Sequence, residues 1–389
     1  MTDPMTPVDT TLGTWSELFM LMAAVVYMFV FIAFAWDMAS HSKTLKEAER
    51  REERAEQRSE ALVGAGAGAR TGSSALTESP GEVDGATEGA EGQWSTTSRD
   101  ERNDSGSGSR AGWRAQRSSA LEGQVADSSM SYADNDHRRP AARVAVVLMV
   151  LAFVIHLAAV IMRAIAANRV PWSNMYEFST TGALLIVAVY LVMLIIKDLR
   201  FVGVLISGLV TLMLTAATIA YPTPVSPLQP ALQSYWLVIH VSIAVAAMGI
   251  FAITFALAIL QLIQDRREKR ILEGGPSGWA FLKIVPSAQT LENFSYRLNS
   301  VGFVFWTFTL AAGAIWARDA WGRYWGWDPK EVWTFVIWVV YAAYLHARAT
   351  RGWTGRRSAW LSIVGFLCIL FNYFVVNTLF DGLHSYSGL

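Results

Sequence analysis

The 389-residue chain holds one cysteine, Cys368, and it lies within an apolar run. A single thiol excludes an intrachain disulfide, a CxxC redox pair and a cysteine-based zinc site. Any thiol chemistry the protein takes part in must belong to another molecule. Charge is scarce as well: Asp, Glu, Lys and Arg make up 16% of the residues, against about a quarter in a soluble domain. The charge present is balanced, 32 basic residues against 32 acidic. The basic excess of a nucleic-acid-binding protein is therefore missing, and no nucleic-acid partner is expected. Hydrophobic residues reach 53% and tryptophans number 16. Because indole favours the lipid–water interface, this balance points to a membrane.

Crossing the hydrocarbon core takes about 20 apolar residues. Eight stretches meet that length, at roughly 15–36, 141–163, 177–196, 201–220, 236–263, 300–317, 331–348 and 359–380. The expected fold is all-α, a polytopic bundle of about eight transmembrane helices. The first stretch has Asp3 and Asp9 ahead of it and no basic leader, so it reads as a retained anchor within 1–40 rather than a cleaved signal. Residues 41–140 form a contrasting segment. Its first part, HSKTLKEAERREERAEQRSE (41–60), is charged and predicts a few helical turns. From about 64 to 136, runs such as GAGAGARTGSS and NDSGSGSRAG bury too little apolar surface to offset ordering entropy, which predicts disorder. Residues 141–389 then form one membrane domain.

Lys and Arg collect in alternate loops: the loop from Lys43, KDLR (197–200), DRREKR (265–270) and RATRGWTGRR (348–357). The positive-inside rule puts these in the cytoplasm of a plasma-membrane protein. Both termini then lie outside, with Arg163, Arg169, Arg318 and Arg323 on the outer loops. Ser287 predicts the cap of a short interfacial helix over PSAQTLENFSYRLNS (286–300).

WGRYWGWDPKEVW (321–333) packs four tryptophans into one outer loop. Part of it has a plain structural reading: in DPKE, Asp328 is an N-cap, Pro329 the first helical residue and Glu331 the third. The carboxylate of Asp328 would repel, not bind, an anionic ligand. Trp316, Trp333 and Trp338 can be ordinary belt or packing residues. Trp321, Trp325 and Trp327 are harder to dismiss. If 319–327 is helical, Trp321 and Trp325 share a face at i, i+4. Gly322 and Gly326 between them would let a planar group approach the backbone. Arg318 and Arg323 flank the cluster and can pair with carboxylates. A flat, apolar, dianionic ligand suits such a platform, and haem has those properties.

Haem needs axial ligands. His41 and His137 fall in or beside the charged loop and are set aside. His240, just inside the fifth span, and His384, after the eighth, share the outer side with the tryptophan loop. Each could satisfy a local hydrogen bond, but two converging on one aromatic loop could ligate one iron from opposite faces. His346 lies some 22 Å along its helix from the DPKE cap at 1.5 Å per residue. It could cap that helix's C-terminus or ligate a second haem near the cytoplasm. His156, mid-membrane, could be its partner or bond to a neighbouring helix.

GFVFWTFTLAAGAIWARDAWGRYWGWDPKEVWTFVIWVVYAAYLHAR (302–348) resembles the tryptophan-rich (WWD, here 316–333) signature of haem-handling proteins of cytochrome c biogenesis. WGWDPKEVW and GLHSY (382–386) are similar to the CcsA/ResC branch of the System II pathway, labelled CcsB in actinobacteria. SNMYEF (173–178), PALQSYWLVIHV (230–241) and VPSAQTLENFSYRL (285–298) extend the likeness over roughly 141–389. The resemblance implies that His240 and His384 ligate an outer haem b, with Trp321, Trp325, Trp327, Asp328, Arg318 and Arg323 around it. It implies that His346 belongs to an inner haem site completed by a ResB/CcsB-type membrane partner. The implied activity is relay of haem across the membrane and its presentation to a CxxCH apocytochrome c. That would make the chain a subunit of a ligation complex, with a thiol-reducing membrane protein as a possible further partner. A haem exporter without a ligation role and a purely structural subunit are the rival readings.

Overall fold

A computed structural model describes residues 8–71, 130–132, 139–276 and 278–384. Two compact units are defined, one of residues 1–42 with 124–389 and the other of 43–123. Among the described residues there is no strand, and eight helices are long and apolar enough to cross a membrane. The protein is an all-helical, multi-span membrane protein.

The helices are α1 (Thr10–Thr71), α2 (Pro140–Ala167), α3 (Met175–Ile196), α4 (Gly203–Ala220) and α5 (Tyr235–Leu272). They continue with α6 (Ala288–Trp321), α7 (Pro329–Arg351), α8 (Arg356–Leu370) and α9 (Val376–Leu379). A π-helical turn, Phe371–Val375, joins α8 to α9, so the last span is one rod from Arg356 to Leu379. Large apolar side chains such as Val147, Ile165, Ile195, Leu212 and Ile219 are exposed on the outside of the bundle, as lipid-facing positions should be. The interior is close-packed: Phe251 of α5 stacks on Tyr341 of α7 with ring centroids 3.8 Å apart.

Two sequence expectations change. Helix α1 carries on through 64–71, which composition read as unstructured. Extending an existing helix needs no new nucleus, which works against the poor helix propensity of the three glycines there. Residues 72–129, the rest of that expected disordered segment bar its end, lie outside the described residues, as does His137. The separate helix expected over 286–300 is instead the first third of α6. Ser287 does cap it, its hydroxyl accepting from the Thr290 N–H at 3.3 Å. The polar residues at the end of that segment find partners: Asn299 donates to Ser362 of α8 at 3.2 Å, and Ser300 donates to the Tyr296 carbonyl at 2.8 Å.

Buried charge ties the loops at one end of the bundle. Glu177 of α3 is fully buried, and its carboxylate accepts from Arg163 at 3.0 Å and from Arg169 at 2.7 and 3.1 Å. Arg163 also donates to the Thr223 carbonyl and Arg169 to that of Ser226. The Pro-rich stretch 221–231 is thereby fastened to the start of α3. His156 is fully buried in α2, and its Nδ1 lies 3.4 Å from the hydroxyl of Tyr27 in α1. It bonds to a neighbouring helix, the blander of the two roles open to it from the sequence.

Candidate functional site

The starts of α5 and α7 and the ends of α6 and α9 meet around one cavity of about 1320 Å³, counting the space open at its mouth. His240, Trp316, Trp321, Trp325, Lys330 and His384 are on its wall. The part of that space open to the centre of a water molecule is about 180 Å³, below the roughly 300–1,000 Å³ of typical ligand pockets, so a large planar molecule would occupy the open mouth as well.

Local sequence explains how each side chain arrives there. Ser234 caps α5, accepting from the Trp236 N–H at 3.2 Å, and His240 follows one and a half turns later. Its ring lies close against Gly313 of α6, where an added Cβ would stand 2.7 Å from His240 Cε1. Trp316, one turn beyond Gly313, meets His240 edge-on with centroids 5.7 Å apart. The Nδ1 of His240 is buried and has no hydrogen-bond partner.

Helix α6 ends at Trp321 because Gly322 adopts φ 76°, a left-handed C-cap. The expected helical turn over 319–327 is thus absent, and Trp321 and Trp325 do not stack at i, i+4. The loop brings both onto the cavity wall instead. Gly322 serves the helix end, and Gly326 is covered by the guanidinium of Arg323. The backbone at Gly326 is therefore closed to a planar group, whereas Gly322 faces open space. Trp327 has φ 59° and is 75% exposed, packing edge-on against Trp325 at 5.9 Å. It does not line the cavity. Arg318 and Arg323 are also exposed and off the wall, Arg318 lying over the ring of Tyr324 at 5.6 Å.

Asp328 caps α7, as DPKE predicts, within a full capping box. Glu331 reciprocates, its Oε2 accepting from the N–H groups of Gly326 at 2.8 Å and Asp328 at 3.1 Å. The same aspartate reaches the C-terminal tail: Oδ1 accepts from the Leu383 N–H at 2.8 Å, and Oδ2 lies 2.7 Å from His384 Nδ1. Burial alone would raise the Asp328 carboxyl. Hydrogen bonds from His384, Leu383 and Lys330 outweigh that and hold it below the usual carboxylate range. An ionised carboxylate only accepts, so Nδ1 of His384 carries a proton, and in the neutral ring Nε2 is the nitrogen with a free lone pair. Trp321 packs edge-on to His384 at 4.7 Å.

One expected site residue stands apart. His346 is exposed on α7, seventeen positions beyond Pro329, and is not part of the cavity. Among the described residues no cluster of three or more His, Cys, Asp or Glu could hold a bare metal ion. Sequence reasoning missed Lys330, Asn372 and Asn377 on the wall, and took Trp316 for packing alone. The i−3 spacing of Gly313 from Trp316 was the one available signal for the latter.

Fold and site together define a polytopic helical membrane protein with an aromatic, histidine-bearing cavity at one end of its bundle. Residues 150–384 match the family described as Cytochrome C assembly protein. The chain belongs to that family, and its likenesses are to CcsA-type cytochrome c biogenesis proteins. It is 40% identical over 243 residues to cytochrome c biogenesis protein CcsA of Guillardia theta, covering 58% of this chain and 80% of that one. To CcsA of Synechococcus sp. (strain JA-3-3Ab) it is 36% identical over 274 residues, covering 58% and 80%. A solved structure, Cytochrome c Heme Lyase CcmF, aligns over 61% of this chain and 42% of that chain at 19% identity with TM-score 0.46, below the level at which a common fold follows. The chain's function is accordingly in cytochrome c biogenesis.

Proposed function

We propose that the cavity holds haem b between His240 and His384 and presents it to the CxxCH segment of an apocytochrome c. The observation that carries this reading is the pair of imidazoles on one wall, each with a nitrogen to spare. Nδ1 of His384 is taken by Asp328, an arrangement typical of metal-ligating histidines, whose outer nitrogen is held by a carboxylate. The wall also fits a ligand in another respect. Nε1 of Trp316, Oε1 of Glu331 and Oδ1 of Asn372 are buried there without partners, and native structures seldom leave such atoms orphaned.

Haem supplies the iron that imidazoles bind and two vinyl groups, across each of which a thiol S–H adds to give a thioether. Haem b is implied because it retains both vinyls. This chain's residues do the holding. Trp316, Trp321 and Trp325 exclude water, and Asp328 fixes the tautomer and direction of His384. His384 is also the ligand best placed to yield to the incoming histidine of the apocytochrome, since it lies beyond the end of α9 with its side chain 30% exposed. Trp327, Arg318 and Arg323, outside the cavity beside its aromatic wall, form the surface on which the apocytochrome docks.

On this reading the protein sits in the plasma membrane with both termini and the tryptophan loop outside. Residues 1–40 are an anchor, 41–140 a cytoplasmic loop and 141–389 the haem-handling domain. His346, exposed near the opposite end of α7, serves an inner haem site whose second ligand comes from a ResB/CcsB-type partner. Together with that partner the chain acts as a ligation complex for apocytochrome c kept reduced by a thiol-reducing membrane protein.

The test is a reduced-minus-oxidised absorption spectrum of the purified protein. The wild type should show a low-spin b-type spectrum, and His240→Ala and His384→Ala should each weaken it and block cytochrome c maturation. Normal maturation in both variants would refute the reading. His346→Ala should leave the spectrum of the isolated chain unchanged and lower haem content only when the partner is co-expressed.

A further inference from the structure

Lys330 is the one cationic side chain among the described residues on the cavity wall. Its ammonium donates to the Asn372 carbonyl at 3.0 Å and to Asn377 Oδ1 at 2.7 Å, both neutral acceptors. One N–H remains, and among the described residues no carboxylate pairs with it. Lys330 is half-buried, and an ammonium that loses part of its hydration is costly unless a counter-charge offsets it. Position adds to the conflict. Lys330 is the second residue of α7, where the helix dipole disfavours a cation.

Of the two acidic residues beside it, one is fully engaged and the other, Glu331, keeps a single oxygen, Oε1, without a partner. Asp328 is taken up by His384, Leu383 and the backbone N–H of Lys330. Glu331 does face the cavity, but its Oε2 accepts two backbone N–H groups at the helix N-terminus, where the dipole favours an anion. The exposed Arg318 and Arg323 leave the interior without any other positive charge.

We propose that Lys330, held in place by Asn372 and Asn377, is the interior subsite for a propionate carboxylate of the porphyrin. The inference rests on the haem reading above. In protoporphyrin the two propionates lie on the edge away from the vinyls. If the vinyl edge is offered at the mouth, the propionate edge points inward. A carboxylate there would take the third N–H of Lys330, satisfy the half-buried charge and fix which edge of the macrocycle faces out. Lys330 is then a positioning residue that selects orientation.

The experiment compares binding of haemin and of haemin dimethyl ester to the full-length detergent-purified chain, followed by Soret titration. The wild type should prefer the free diacid by about tenfold, the worth of one charge-assisted hydrogen bond. Lys330→Met should lose that preference and keep a b-type spectrum, while Lys330→Arg should retain it. Equal binding of the two porphyrins by the wild type, which needs no variant to fold, overturns the inference alone. So does a Lys330→Met protein that still discriminates. A wild type that binds neither overturns the haem reading and this inference with it.

Discussion

His384 Nδ1 and Asp328 Oδ2 lie 2.7 Å apart, so the residue that starts α7 also aims the histidine that ends the chain's described part. The two roles can be separated. Asn caps helices about as well as Asp, but its amide cannot hold the imidazole as a carboxylate does. Asp328→Asn is expected to shift the melting temperature little and to weaken haem retention ten- to a hundredfold, the usual effect of losing such a supporting group. Thermal melting and haem titration of the same preparation check both halves.

The depressed pKa of Asp328 sets an acid limit. Burial works to raise it, and the hydrogen bonds from His384, Leu383 and Lys330 more than reverse that. A lowered folded-state pKa contributes stability that is complete above the unfolded value, about 3.9, and is lost as pH falls through the folded one. The tail should therefore stay latched from neutral pH down to about pH 4 and loosen below it. Hydrogen exchange at Leu383, whose N–H donates to Asp328, reads this directly. Loss of its protection near pH 6 would contradict the assignment.

Gly313→Ala isolates the seat of His240. Alanine favours a helix interior over glycine by about 1 kcal/mol, so α6 itself should not suffer. The new Cβ would press 2.7 Å from His240 Cε1 and push the ring off its seat. The expected result is unchanged or higher thermal stability with a weakened or high-spin haem spectrum. A wild-type spectrum in this variant would show that the ring has room to shift without cost.

Trp321 and Trp327 should part company. Trp321→Ala opens the cavity wall beside His384 and is expected to lower haem binding. Trp327→Gly removes an exposed indole and relieves a positive φ that costs a non-glycine residue about 1 kcal/mol or more. It should keep haem, gain slightly in stability and lose maturation, because only docking is affected. Haem content measured beside cytochrome c yield separates the two outcomes.

The spans were legible because a membrane imposes length and apolarity residue by residue. The 177–196 and 201–220 stretches differ by at most two residues from α3 and from the helical segment Arg200–Ala220. DPKE was legible because capping is local. The convergence of His240 and His384 followed from topology alone, since odd and even helix ends alternate sides. What escaped was anything set by packing between helices. Lys330 reads in sequence as the filler of a cap motif, and only the approach of the last span turns its ammonium into an interior charge. The direction of Trp327 depended on one backbone angle that spacing does not encode. Arg163 and Arg169 looked like loose outer charges until Glu177 was found between them.

The π-helical turn at Phe371–Val375 makes this site a matter of counting as much as of chemistry. Its wider winding accommodates one extra residue and releases a carbonyl from the ladder, and Asn372 turns its carbonyl to Lys330. Removing one residue of that stretch would restore ordinary α-helical winding, return the Asn372 carbonyl to the ladder and take it from Lys330. A deletion elsewhere in the span, with no bulge to absorb it, would swing Asn377 and the segment carrying His384 by about 100°. The number of residues in the last span is thus as much a determinant of the cavity as their identity.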